Sequence, residues 1–522
     1  MLSPVQSSPS TLISSPKAHC NRQPNLVKML SMVILLGIFA LPSMAATPCA
    51  TVTSTDDSSI AATTSGTLRY AIAQANGTIG TACDTITFSL TYPATITIGQ
   101  NQPYFEISNT TTPITITGPG AANLTIGGDS VGGGNVFQID SGATATISEV
   151  TMGNVTGDVP AAIQNIGTLT LTNSTISNNQ VTSPGTANGA GISNIGTLTV
   201  TNSTFSGNSN NSDVSLGGAI FNTGTATVTN STFSGNFAYY AVGGGIYNNG
   251  VLYLSASTFS GNSTGNSTGG GGAIFNNTSG TLVIKSTILA NSPFGGNCAV
   301  SSGATIVSDG YNLSDDLSCT SFLNQGTDIN NTSGTNNNFA GLDPNGLQNN
   351  SGPTPTIALL PTSPAIDKIP IPCTDANGKT ISTDQRGVSR PQGPACDIGA
   401  FELAAGTYNA FVQQPINPDK SSVFNANKGV VPAKFTLTLN NVATCSLPQA
   451  SIGLTRTQGG TPGPIDESTY SMAADTGSYY RIDSSACQYI YNINSKALGV
   501  GTYRVDVIIN GNVVGSGFFA LK

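Results

Sequence analysis

The stretch Ile192-Ser193-Asn194-Ile195-Gly196-Thr197-Leu198-Thr199-Val200-Thr201-Asn202-Ser203-Thr204-Phe205-Ser206-Gly207-Asn208 is one of five copies of a single pattern. The first isoleucine falls at Ile163, Ile192, Ile220, Ile246 and Ile274, and a second apolar anchor at Ile176, Phe205, Phe233, Phe259 and Ile288. The first marker is spaced 29, 28, 26 and 28 residues, the second 29, 28, 26 and 29. Two markers that drift together define a repeated structural unit, because an insertion between copies moves both.

Within a copy the apolar residues alternate, as in Leu169 and Leu171, Leu198 and Val200, Ala226 and Val228, Leu252 and Leu254. Period two is a strand signal, since successive side chains point to opposite faces. Glycine clusters such as Gly243-Gly244-Gly245 argue against long helices. No 3.6-residue apolar stripe supports helical repeats, and a propeller blade usually takes a longer repeat. The expected fold class is all-β, a right-handed parallel β-helix with coils about 4.8 Å apart.

Asn165, Asn194, Asn222, Asn248 and Asn276 each lie two residues after the marker isoleucine, so they stack in one file. Asn173, Asn202 and Asn230 form a shorter second file, replaced by Ala256 and then Lys285. Stacked amides bond along the axis and satisfy groups that would be costly to bury. Asn-Ser-Thr also matches a glycosylation acceptor, but recurrence at one coil position is accounted for by a structural ladder.

Outward from the repeats, 1–46 reads as a signal peptide. Lys28 precedes an apolar run from Met29 to Leu41, followed by Pro42 and Ser43-Met44-Ala45. The run is too short for a membrane helix. Only 8% of the chain is charged, and its net charge is −8. The leader holds Lys17, Arg22 and Lys28 and no acid, so removing these three cations takes −8 to −11. Such an acidic chain is a poor nucleic-acid binder.

Eight cysteines follow the leader: Cys49, Cys83, Cys298, Cys319, Cys373, Cys396, Cys445 and Cys487. They fall as four neighbouring pairs, one per region, and an even count in an exported chain points to four local disulfides. Zinc would need tighter spacing and often His, and the single histidine, His19, is in the leader.

Residues 47–140 read as an N-terminal cap and first coils, with a helix over Ser65 to Asn76 capped by Ser65 or Thr67. Residues 141–345 hold the β-helix repeats, whose period is lost from about Ser292. Residues 346–403 form an irregular, Pro-rich C-terminal cap. After a linker, 407–522 reads as a β-sandwich of about seven or eight strands, immunoglobulin-like, with Asn510-Gly511 as its strongest hairpin signal.

Four parts of the chain resemble known families. Gly66-Thr67-Leu68-Arg69-Tyr70-Ala71-Ile72, with Asp84 to Phe88 and Ile116 to Gly120, resembles the N-terminal region of bacterial CSLREA-type surface proteins, which carry pectate-lyase-like β-helices. The Gly217 to Phe221 and Gly272 to Phe275 copies resemble repeats of polymorphic outer membrane proteins. Gly352 to Pro361, Ser363 to Asp367, Asp384 to Gly387 and Cys396 to Glu402 resemble the choice-of-anchor Q segment that terminates such β-helices. Val431 to Phe435, with Gln488 to Asn492 and Gly501 to Arg504, resembles the PxKF domain of bacterial extracellular proteins. The resemblance implies a secreted or cell-surface protein and assigns no activity.

Enzymes on this fold need carboxylates, calcium ligands or an arginine projecting from adjacent coils. Between 159 and 283 the only ionisable acid or base besides tyrosines is Asp213. No His remains for a Ser-His-Asp site. Trp is absent, which leaves Tyr239, Tyr240, Tyr247 and Tyr253 as stacking residues for sugar. Two clusters concentrate charge. Asp309 to Asp316, near Gly310, has calcium as one reading and a solvated turn as the other. Arg386, Arg390, Asp384, Asp397 and Glu402 read as an arginine–carboxylate network locking the cap, with an active site as the alternative. We therefore expect no catalytic residue, no cofactor and no metal. The expected role is a non-catalytic adhesin or structural spacer, with an unknown polysaccharide or cell-surface protein as partner. A polysaccharide lyase or hydrolase is the alternative.

Overall fold

A computed structural model describes residues 47–522, apart from 58–62, 81–82, 100–101, 129–134, 159–161, 240–241, 266–269, 334–337, 405, 407, 428, 440–441, 446–448, 459–472 and 510–511. The leader, Tyr240 and the Asn510-Gly511 turn lie outside the described residues.

The chain winds into a parallel β-solenoid of about 8 turns, followed by an antiparallel β-sandwich. Each regular coil contributes one strand to each of three walls. The threonine wall holds strands such as Thr168–Thr172, Thr197–Thr201 and Thr225–Thr229. The asparagine wall holds Ile163–Asn165, Ile192–Asn194 and Ile220–Asn222, and the serine wall Thr175–Ser177, Thr204–Ser206 and Thr232–Ser234. Alternation within Thr197–Thr201 aims Leu198 and Val200 inward, where both are buried, and leaves the three threonines outside. Register is strict: Thr197 pairs with Thr225, Leu198 with Ala226 and Val200 with Val228. Inside, Phe205, Phe233 and Phe259 stack at ring separations of 4.7 and 4.4 Å. The motif glycine is required by close approach. A Cβ on Gly196 would lie 2.0 Å from the Gly167 oxygen, and one on Gly224 2.0 Å from the Gly196 oxygen.

Register also corrects two assignments. Phe259 pairs with Leu289, so the last inward anchor is Leu289 and Ile288 points outward. Ser286, not Lys285, continues the second asparagine file. That file is a backbone feature, not an amide ladder: Asn173, Asn202, Asn230, Ala256 and Ser286 all have φ between 45° and 52°. Asn adopts this left-handed conformation more readily than most residues. The solenoid also outlasts its sequence period, since Cys298–Val300 and Thr305–Ser308 pair onto the preceding coil.

The N-terminal end is closed by helix Leu68–Ala75, with Leu68, Ala71, Ile72 and Ala75 buried and Thr67 capping through Tyr70 N. Arg69 ties the helix down through Asp57 at 2.7 Å and lies 4.7 Å from the Phe105 ring. Strand Phe105–Ile107 opens the asparagine wall and was not expected from the sequence. At the other end Leu323 is buried in the solenoid core and Phe322 packs against it.

Residues 338–403 do not sit over that end. They double back as a strap along the serine wall. Thr354 Oγ1 donates to Asn202 O, Thr204 Oγ1 to Pro355 O, and Asn230 Nδ2 to Thr383 O. Ala376 N donates to Ser255 Oγ, at the end of a threonine-wall strand, and Ala400 N to Thr258 Oγ1 on the serine wall. Outward-facing Ile288, Ala290 and Leu313 join Leu359, Ile369, Ile398 and Phe401 of the strap in a core of their own.

The sandwich pairs a five-stranded sheet with a four-stranded one around Phe424, Phe435, Tyr489, Tyr503 and Phe519. Cys445 and Cys487 flank strands of the same sheet, and Cys445 is exposed. This is not the buried inter-sheet bridge of antibody domains.

Candidate functional site

The first asparagine file is a continuous hydrogen-bonded ladder. Asn165 donates to Asn194, Asn194 to Asn222, Asn222 to Asn248 and Asn248 to Asn276, each from Nδ2 to Oδ1 at 2.7 Å. All five are fully buried, so neither sugar nor glycan reaches them. A second ladder runs beside the serine wall: Asn179 to Asn208, Asn208 to Asn236 and Asn236 to Asn262, at 2.8, 2.9 and 2.8 Å. Its signal was the closing Ser-x-Asn of each copy. There the middle residue takes a positive φ and the asparagine turns in.

The charge cluster lies within the strap. Arg390 Nη1 reaches Glu402 Oε2 at 2.8 Å and the Asp397 carbonyl at 2.8 Å, while Nη2 reaches the Gly399 carbonyl. Arg386 forks onto Asp384 Oδ2 through Nε and Nη2, with its guanidinium 3.5 Å from the Phe401 ring centre. Asp384 Oδ1 accepts from Arg386 N and Val388 N, and its Oδ2 also from Glu402 N. Glu402 Oε1 accepts from Gln392 N, and Asp397 accepts from Asp367 N and Leu403 N. Burial first, and Glu402 second, push the Asp397 carboxyl up to about 7. Burial likewise raises Glu402 and lowers Arg390, whose charge the neighbouring carboxylates oppose losing. Every carboxylate oxygen here holds a backbone donor or a guanidinium. The network can hold irregular chain in place, and it leaves no carboxylate edge toward solvent for acid–base work.

The acids after Asp309 are absorbed in the same way. Asp328 Oδ1 accepts from Asn312 N and its Oδ2 from Ser308 and Gln325. Asp315 accepts from Asn291 N and Asn297 Nδ2, and Asp316 from Asn297 N and Ser318. Asp309 pairs with Lys285 at 3.2 Å. Among the described residues no three His, Cys, Asp or Glu side chains converge as a metal site.

Among the described residues the candidate stacking tyrosines Tyr239, Tyr247 and Tyr253 stand in different surroundings. Tyr247 is stacked between Phe221 and Phe275 and buried, while Tyr239 packs edge-on to Phe237. Tyr253 is half-buried on the outer threonine wall. The four disulfides join Cys49–Cys83, Cys298–Cys319, Cys373–Cys396 and Cys445–Cys487. No family model, curated protein or solved structure matches the chain.

Proposed function

We propose that this chain is an exported, non-catalytic β-helix protein, a rigid spacer or adhesive rod at the cell surface. The observation that carries this reading is the charge-poor body. Asp213 is the single acid or base besides tyrosines across 159–283, so the regular coils offer no proton donor, acceptor or cation ligand set. Four disulfides fit an oxidising compartment. The resemblance to CSLREA-type, choice-of-anchor Q and PxKF proteins supports the same location. The fold also suits a pectate-lyase-like enzyme, and the two readings separate in one assay. Purified protein with added calcium is offered pectin, polygalacturonate, alginate and chitin. The spacer releases no unsaturated or reducing ends. Release abolished by Asp315→Ala or Arg386→Ala in a folded protein establishes the enzyme instead. Fractionation of native cells among medium, surface and periplasm tests export.

A further inference from the structure

On the strands Thr144–Ser148, Thr168–Thr172, Thr197–Thr201 and Thr225–Thr229, the first, third and fifth side chains face outward, and all but Ser148 are threonine. Paired register sets them in three straight files. The result is a regular grid of hydroxyls and methyls, one row per coil. Among the described residues, none of the hydroxyls on Thr168–Thr172, Thr197–Thr201 or Thr225–Thr229 bonds to protein. Within 159–283 the one charged side chain, Asp213, stands on the loop before strand Val214–Leu216, and Glu149 stands at the corner beyond Ser148.

Strand formation alone does not require threonine at these positions. Val251, Tyr253, Val283 and Val307 occupy the same files in later coils and pair equally well. The serine wall shows what such a file can do. There Thr204, Thr232 and Thr258 are used as a hydrogen-bonding rack, meeting Pro355, Gln385 and Ala400 of the strap. The strap also meets the fifth-position file of the threonine wall in its later coils, through Ser255 and Lys285. The threonine hydroxyls of Thr168–Thr172, Thr197–Thr201 and Thr225–Thr229 form an equivalent rack that the strap leaves open.

We propose that the threonine wall binds the surface of ice. The partner must itself be a lattice, because a rigid grid engages many points at once only if the partner's repeat matches. Adjacent coils stand about 4.8 Å apart, and a two-residue step along a strand is about 6.7 Å. Tetrahedral water built on O–H···O contacts of about 2.75 Å has second neighbours about 4.5 Å apart and a layer repeat of about 7.3 Å. The mismatch is about 0.3 Å per coil and about 0.6 Å per two-residue step, so the match holds over a patch of a few coils by a few residues rather than along the whole wall. Each hydroxyl both donates and accepts, as lattice water does. The methyl beside it keeps the wall from holding disordered solvent. A soluble polysaccharide would want aromatic platforms, and a protein partner would want large apolar or arginine anchors. The grid has neither. The wall is also preorganised by the buried core, so little freedom is lost on binding.

The test uses the disulfide-bonded chain from residue 47 onward, with a seed ice crystal held just below its melting point. The native protein facets the crystal and opens a gap between melting and growth temperatures. Thr170→Tyr combined with Thr199→Tyr loses both effects, and its thermal melt is unchanged because Tyr253 already occupies this file further along. Ser206→Tyr, on the serine wall, keeps both. Round crystals with no gap for the native protein overturn the proposal, as does a gap that survives the double substitution. Binding to crystalline cellulose or chitin that is lost with the same double substitution, in a protein that leaves ice unshaped, also overturns it.

Discussion

Gln385 Nε2 donates to Thr204 Oγ1 at 2.8 Å, joining residues 181 positions apart. The same amide accepts from Thr232 Oγ1 at 2.6 Å, so one side chain bridges two adjacent coils. Gln385→Leu leaves two buried threonine hydroxyls short of a partner, each deficit worth about 1–3 kcal/mol. The expected outcome is a lower denaturant midpoint and new protease cuts within 346–403, with the coils themselves still resistant. Limited proteolysis followed by mass spectrometry reads both.

The Asp397 carboxyl gives the strap a pH dependence of definite sign. Its pKa in the folded protein is pushed up to about 7, against about 3.9 in an unfolded chain. The folded state therefore holds the proton more tightly. Stability from this group is full below pH 4, falls as pH rises from about 4 to about 7, and is flat beyond. Glu402 and Asp367 are shifted in the same direction, both mainly by burial. Asp397→Asn flattens the slope between pH 4 and 7, whatever it does to absolute stability. Denaturation curves across that range check it.

Ladder position sets the cost of losing an asparagine. Asn222 both accepts from Asn194 and donates to Asn248, whereas Asn165 only donates within the file. Asn222→Ala cuts the file on both sides, leaving Asn194 Nδ2 with Gly196 O and Thr225 O and Asn248 Oδ1 with Gly250 N, and each lost link costs about 0.5–1.5 kcal/mol. Asn165→Ala cuts one link. Thermal melts of the pair rank Asn222→Ala well below Asn165→Ala.

Coil deletions separate the strapped from the unstrapped part of the rod. Removing 163–191 joins equivalent positions, since Ile163 pairs with Ile192, and leaves the strap anchors at Thr204, Asn230 and Thr258 in place. Removing 220–245 also joins equivalent positions, since Ile220 pairs with Ile246. That cut takes away Asn230 and Thr232 and leaves Thr383 and Gln385 facing the wrong coil. Both variants fold into shorter rods. Only the second exposes 346–403 to protease.

Cys298–Cys319 spans 21 residues beside the end of the solenoid that Leu323 plugs. Replacing both cysteines with serine costs about 2–4 kcal/mol, the range for a loop of this size. Hydrogen exchange should rise first at Cys298–Val300 and Thr305–Ser308, the last coil, and leave Thr168–Thr172 protected.

What the sequence made legible was whatever each coil states for itself. Ile192, Asn194, Leu198, Val200 and Phe205 each announce an inward position by spacing, because the neighbouring coil repeats it. The last coil misled because Ile288 and Leu289 are both apolar and adjacent, and only pairing with Thr258 and Phe259 tells which faces in. Asn202 and Asn194 look alike in sequence, yet one is chosen for backbone conformation and the other for its amide. The strap was recognisable as a unit, but its place was not. Thr383 and Asn230 are 153 residues apart, and nothing local to either encodes the contact. The threonine files were visible as Thr-x-Thr-x-Thr and passed for ordinary strand exterior.

The strap gives the rod a direction of assembly. Each coil closes on a neighbour only 26 to 29 residues away, so coils can be laid down one after another as chain becomes available. The strap arrives more than a hundred residues after its rack and has nothing to grip until Thr204, Thr232 and Thr258 are aligned. It docks last, and only on finished coils. A rod that stalls midway keeps its serine wall bare, and that bare wall distinguishes an incomplete molecule from a complete one.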